Sequence, residues 1–200
     1  MQDSPDMVSL DPERPIWDRF YTVAPLYVVG TKGPDGRSDL APKHLASPLS
    51  WDNFFGFVCS EEHTTFQNIE RDKVFTVSAP RPDQVVLASL AASPRCQDGS
   101  KPVVEALPTI AGKKVDAPCL LDAYLVLECR LSQFVRNLGR NVLVVGEVVA
   151  AQVHPDILAD HERDAQEQIH EHPLLAYLSP GRFCSIKETQ SFPFPKGFSR

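Results

Sequence analysis

No apolar run in these 200 residues approaches the ~18–20 needed to cross a bilayer as a helix. Basic residues are too few for a reader of nucleic-acid backbone. Twenty Lys and Arg stand against 26 Asp and Glu, for a formal charge of −6 and a pI near 5.5. The same balance excludes a polybasic membrane-surface protein. The opening stretch, MQDSPDMVSLDPERP, is acidic and proline-bearing and has no apolar segment of the signal-peptide kind, so a soluble, cytoplasmic protein is expected. No Cys-x-x-Cys pair occurs. The five cysteines, at 59, 96, 119, 129 and 184, are odd in number and widely spaced, which fits reduced intracellular thiols better than a disulfide scaffold or a zinc cluster. Cys59, Cys129 and Cys184 lie in apolar, strand-like runs and are expected to be buried. A dinucleotide fingerprint is missing too. Gly30, Gly33 and Gly36 crowd one another, but no helical pattern follows them, and Pro34-Asp35 between glycines reads as a hairpin turn.

Short β-rich segments dominate what is present. PLYVVGT (25–31), FFGFVCS (54–60) and VFTVSAP (74–80) read as strands, and DLAPKHLASPLSW between the first two as an extended, proline-punctuated piece. CLLDAYLVLECRLSQFV (119–135) and VLVVGEVVAAQVH (142–154), joined by the turn RNLGRN, predict a long hairpin. Helical patterns are fewer: a short one to about Lys73, one over 83–93, and an acidic one over 155–173. The histidines of the last, 161, 170 and 172, do not repeat at i, i+4 and read as solvated surface rather than metal ligands. GRFCSIKETQ (181–190) reads as a last strand. Hairpin-linked strands without regular βαβ alternation favour a small antiparallel barrel. One domain is expected over 22–190, after an arm (1–21) and before an extended tail (191–200).

HTTFQNIERDKVFTVSAP (63–80) raises a chemical question. A polar cluster opens a short helix, with Thr64 or Thr65 placed to cap it. Thr65 and Asn68, three apart, share one helix face, and the first helical N–H groups are unsatisfied at the positive end of the dipole. A simple cap and an anion site both remain open on these residues.

The order of motifs around that stretch resembles the flavin-reductase-like, FMN-binding split-barrel family. Ala41-Pro42, Leu49-Ser50, then Thr65, Asn68 and Ile69, and Phe75 opening a strand, follow the family's Ala-Pro-x-Ser and Lys-Asp-Thr-x-x-Asn-Ile segments. Glu128-Cys129, Gly146-Glu147-Val148 and Gly181-Arg182-Phe183 resemble its later strands, so the resemblance spans about residues 22–187. It implies a mainly β antiparallel split barrel, a homodimer, and FMN near the subunit interface. The implied cofactor-binding residues are His44, Ser47, Leu49, Ser50, His63, Thr65 and Asn68. His44 stands where the family usually has Ser, Ser47 where it often has Asn, and His63-Thr64 where it has Lys-Asp. The two histidines are either phosphate-side substitutes or ordinary loop residues. The implied activity is an oxidoreductase taking hydride from NADH or NADPH to flavin, with no acid–base residue required. The implied alternative is a flavin-binding electron carrier, or a binding protein that has lost turnover. No catalytic residue is assigned, and no metal, nucleic acid or membrane is expected.

Overall fold

The computed structural model describes residues 6–159, 163–193 and 197. Parts of the arm and tail expectations, and His161, lie outside the described residues. The first regular elements are β1 (Thr22–Pro25) and β2 (Tyr27–Lys32). A turn with Gly36 at φ 77° leads to β3 (Ser38–Lys43), then β4 (Ala46–Pro48) and β5 (Phe54–Cys59). Helix α1 (Thr64–Asp72) follows, then β6 (Val74–Ala79). A long excursion holds α2 (Val85–Leu90), α3 (Pro102–Ala106), β7 (Thr109–Ala111) and β8 (Pro118–Leu120). The expected hairpin is β9 (Leu125–Leu138) with β10 (Asn141–Val153). Helix α4 (Ala165–Glu171), β11 (Leu174–Ser179) and β12 (Arg182–Ile186) complete the chain.

Seven strands form one antiparallel sheet in the order β3-β2-β6-β9-β10-β5-β4. Its two outer strands, β3 and β4, are neighbours in sequence, separated only by His44 and Leu45. Three Cα steps span at most roughly 11 Å, so the sheet must curl until its edges meet at that corner. The result is the expected mainly β half-barrel. Curling is helped by three register shifts between β9 and β10, at Asn141/Leu143, Val145/Gly146 and Val148/Ala150. Gly146 lies against the Phe75 ring, where a Cβ would collide.

The curled face encloses Val29, Phe55, Phe57, Phe75, Val77, Cys129 and Val144. Phe57 and Phe75 pack edge to face at 5.4 Å. Phe66 and Ile69 of α1 plug this core. On the outer face, α2 and α3 cover Val28 and Leu40 with Ala88, Ala91, Val104 and Leu107. Val28 and Val29 of β2 are both fully buried, which is why two apolar residues stand side by side there rather than alternating with polar ones. Glu128 of β9 is fully buried as well. Its Oε2 accepts the backbone N–H of Lys114 at 2.6 Å and of Val115 at 2.9 Å. Burial alone would raise its pKa, but bonds from the Lys114, Val115 and Lys113 backbone outweigh that and hold it below the usual range.

Several expectations need correction. The 155–173 helix shrinks to α4, capped by Asp164, because Pro155 opens a 3-10 turn that ends at Ile157. β11 has no counterpart in the sequence reading. It runs from Leu174 to Ser179, beside β1 and β12 in a separate three-stranded sheet. Cys184 is exposed, because β12 is an outer strand of that small sheet and nothing described in the chain covers it. Cys59 and Cys129 are buried as expected, and so is Cys119.

Candidate functional site

Helix α1 begins one residue earlier than its threonines suggest. His63 is the N-cap, extended at φ −76° and ψ 137°, and its side chain makes no capping bond. Thr64 and Thr65 therefore both lie within the first turn, and neither serves as the N-cap. Thr65 is 3% exposed, lines a cavity of about 340 Å³, and among the described residues its side chain makes no hydrogen bond. A hydroxyl on a cavity wall that makes no hydrogen bond among the described residues is suited to a ligand acceptor.

The cavity is walled by the end of β3 (Ala41, Pro42, Lys43), the start of α1 (His63, Thr64, Thr65) and residues 91–95 with Lys101. Its charged groups are Lys43, Arg95 and Lys101 against Asp39 and Glu62. Arg95 Nη2 donates to Asp39 Oδ1 at 2.7 Å, and Lys101 Nζ lies 3.8 Å from the same oxygen. Arg95 and Lys101 escaped the sequence reading. They stand more than fifty residues from β3, and only the fold of the 80–123 excursion returns them to it. His63 also borders a second, larger cavity of about 660 Å³ with Arg136, Asn137 and Arg140.

The other predicted residues separate into distinct environments. Asn68, 1% exposed, donates to Thr31 Oγ1 at 3.0 Å and accepts from Arg71 Nη1 at 3.3 Å, so its amide pins α1 to β2. His44 is half-buried, with its ring 4.5 Å from that of Tyr177 on β11. Burial lowers its pKa, and Lys43 adds to the effect, so the ring is neutral at pH 7. Ser47 is exposed and opposite Gly56. Leu49 leans over Gly56, where a Cβ would strike its side chain. Ser50 is exposed, and its hydroxyl accepts the Asp52 N–H at 3.0 Å within a turn. His63 Nδ1 is 3.7 Å from Cys59 Sγ. The structure thus gathers His63 and Thr65 at one cavity. It sets His44, Ser47 and Leu49 along the adjoining corner of the sheet.

A curled antiparallel sheet with a cation-lined, hydroxyl-bearing cavity at a helix start defines a half-barrel suited to an anionic ligand. The chain belongs to the flavin reductase like domain family, whose model matches residues 20–186. Membership makes it a flavin-linked oxidoreductase by class. No curated protein sequence matches the chain. Among solved structures it is similar to nitrilotriacetate monooxygenase component B from Bacillus cereus, at TM-score 0.80 and 16% identity over 94% of this chain and 100% of that one. Flavoredoxin of Desulfovibrio vulgaris (Miyazaki F) matches at TM-score 0.73 and 19% identity, covering 99% and 100%. An FMN-binding protein from Thermus thermophilus, solved with 1-cyclohex-2-enone, matches at TM-score 0.72 and 22% identity, covering 96% and 99%. Identities this low carry the fold alone. No helix among the described residues is long and apolar enough to cross a membrane.

Proposed function

We propose that this protein binds FMN and works as an NAD(P)H-dependent flavin reductase. The observation that carries the reading is Thr65, at the first turn of α1 with no side-chain hydrogen bond among the described residues, on the wall of a cavity that also holds Lys43, Arg95 and Lys101 beside Asp39 and Glu62. That donor set fits a phosphate-bearing flavin. When bound, the flavin supplies the two-electron chemistry, taking hydride from NADH or NADPH and passing electrons to an acceptor.

The chain's own residues bind and orient. Thr65 and the first amides of α1 hold the phosphate, and His63 stands beside them. His44, Ser47, Leu49 and Ser50 flank the ring. His44, neutral at pH 7, offers a flat polar face whose orientation is fixed by Tyr177. Asn68 keeps α1 seated so that Thr65 stays aimed at the cavity. No proton transfer from a side chain is required of this set.

A homodimer belongs to the same reading. Leu45 (57% exposed), Leu49 (42%) and Trp51 (86%) form an apolar stretch along the corner between β3 and β5 that a second subunit would cover.

The test is an absorbance spectrum of the purified protein before and after FMN, followed by NADH and NADPH oxidation with FMN present. Bound flavin and FMN-dependent oxidation of either nicotinamide are expected. Absence of flavin binding overturns the reading, whereas binding without oxidation reduces it to a carrier. Light scattering at micromolar concentration should give a dimer mass, and a monomer mass contradicts the subunit proposal.

A further inference from the structure

Arg95 and Lys101 also line a third cavity, of about 300 Å³, to which no residue of α1 contributes. It lies between the end of the β2–β3 turn, at Arg37 and Ser38, and α3 with the start of β7. Val104 and Leu107, each 4% exposed, give it a buried apolar lining. With that lining stand three cations, Arg37, Arg95 and Lys101, and one carboxylate, Glu105. Ser38 and Thr109 add hydroxyls that make no hydrogen bond among the described residues. Protein groups hold part of the positive charge. Arg37 pairs with Asp35 through Nε at 2.7 Å, Arg95 donates to Asp39 at 2.7 Å and to the Gly99 carbonyl at 2.9 Å, and Lys101 donates to the Leu40 carbonyl at 3.2 Å. A guanidinium has five N–H donors and an ammonium three, so each of the three cations keeps donors beyond these bonds.

A nucleotide asks for this combination: apolar surface for the base, cations for the phosphate, and an acceptor for ribose hydroxyls. At about 300 Å³ the cavity stands at the lower limit for small-molecule sites, which suits one nucleotide unit rather than a whole dinucleotide. The wall it shares with the cavity at α1 gives the rest of a longer molecule a place to continue. We infer that this cavity is a subsite for an adenosine monophosphate unit, the part that FAD and the nicotinamide dinucleotides have in common. Val104 and Leu107 receive the base, Arg95 and Lys101 the phosphate, and Glu105 with the two hydroxyls the ribose. Exposed Arg37 offers its planar guanidinium to the base. The inference goes beyond the flavin reading and stands without it, since α1 takes no part in the lining.

The experiment is titration of adenosine monophosphate and of inorganic phosphate into the full-length protein, for the parent, Arg37→Met, Thr109→Trp and the distant control Lys113→Met. The parent should bind the nucleotide at least about 10-fold more tightly than phosphate, because base and ribose add contacts. Thr109→Trp, which fills the cavity, should abolish nucleotide binding. Arg37→Met should weaken it by about 10-fold, and Lys113→Met should leave it unchanged. Two further arms identify the source: FAD against FMN, and NADH against reduced nicotinamide mononucleotide, each pair differing by one adenylate unit. The pair whose affinity ratio falls in Arg37→Met names the molecule that uses the subsite. Equal affinity of the parent for nucleotide and phosphate means an adventitious ion only and overturns the inference. So does nucleotide binding unchanged in both Arg37→Met and Thr109→Trp. Should Thr109→Trp lose its melting transition, exposed Arg37 decides. FMN binding without nucleotide binding leaves the flavin reading standing and removes the subsite, and nucleotide binding without FMN binding does the reverse.

Discussion

Thr65 and Asn68 share a helix face and nearly equal burial, yet removing their polar groups should have opposite consequences. Asn68→Ala deletes a buried bond to Thr31 and leaves that hydroxyl, itself 1% exposed, without its donor. It also strips Arg71 of an acceptor at 3.3 Å. One unsatisfied buried group plus one lost contact to a charged side chain amounts to about 2–4 kcal/mol. For a chain of this size that lowers the melting temperature by roughly 5–12 °C. Thr65→Ala removes a hydroxyl that no described protein group engages together with one buried methyl, so it should cost no more than about 1 kcal/mol. Its FMN affinity should fall by roughly 10- to 100-fold, the value of one hydrogen bond to a charged ligand. Urea denaturation and FMN titration of both variants measure the four quantities. The reasoning is refuted if Thr65→Ala is as destabilising as Asn68→Ala, or if Asn68→Ala unfolds no earlier than the parent.

Glu128→Gln should change the acid limb of stability. The ordinary value for this group is 4.5 and the folded carboxyl lies below it, so its contribution is present above about pH 4.5 and lost as pH falls through the folded value. The stability gap between parent and variant should therefore shrink in acid, and urea midpoints showing a constant gap down to about pH 3 contradict this. Gly30→Ala drives a methyl into the Pro118 carbonyl and the Thr76 hydroxyl, so a loss of at least about 2 kcal/mol is expected, and a parent-like melting curve would reject that packing. Thiol labelling at pH 8 should modify exposed Cys96 in the native protein. Cys119 and Cys129, pushed up to about 11 and about 12 by burial and by the Glu128 charge, should react only on unfolding; native labelling of either contradicts their placement.

Strands with strong local signatures were legible before folding. The β-rich run at 27–32, the continuous apolar run at 54–59 and the 125–153 hairpin declare themselves through β-branched and aromatic content and through turn residues. β11 was not legible, since LLAYLS follows an acidic helical pattern and its partner β1 lies about 150 residues away in sequence. At the site, the local polar pattern marked Thr65 and Asn68 as equals. Only long-range contacts separate them, because Asn68 meets Thr31 while Thr65 faces open space. Lys101 and Arg95 were invisible for the same reason: nothing in PRCQDGSKP indicates that it folds back onto Asp39. Cys184 sat in an apolar run, but burial depends on what covers a strand, and β12 is an outer one.

The two residues between β3 and β4 act as a tether of fixed length. Elsewhere neighbouring strands are held by ladders of hydrogen bonds that can breathe one rung at a time, whereas this corner is held by covalent chain. His44 is one of the two, and its ring rests on Tyr177 of the smaller sheet. The smaller sheet therefore touches the barrel's corner at a link only three peptide bonds long. The separation of the two sheet edges at this corner is bounded by chain length, by a link too short to slacken.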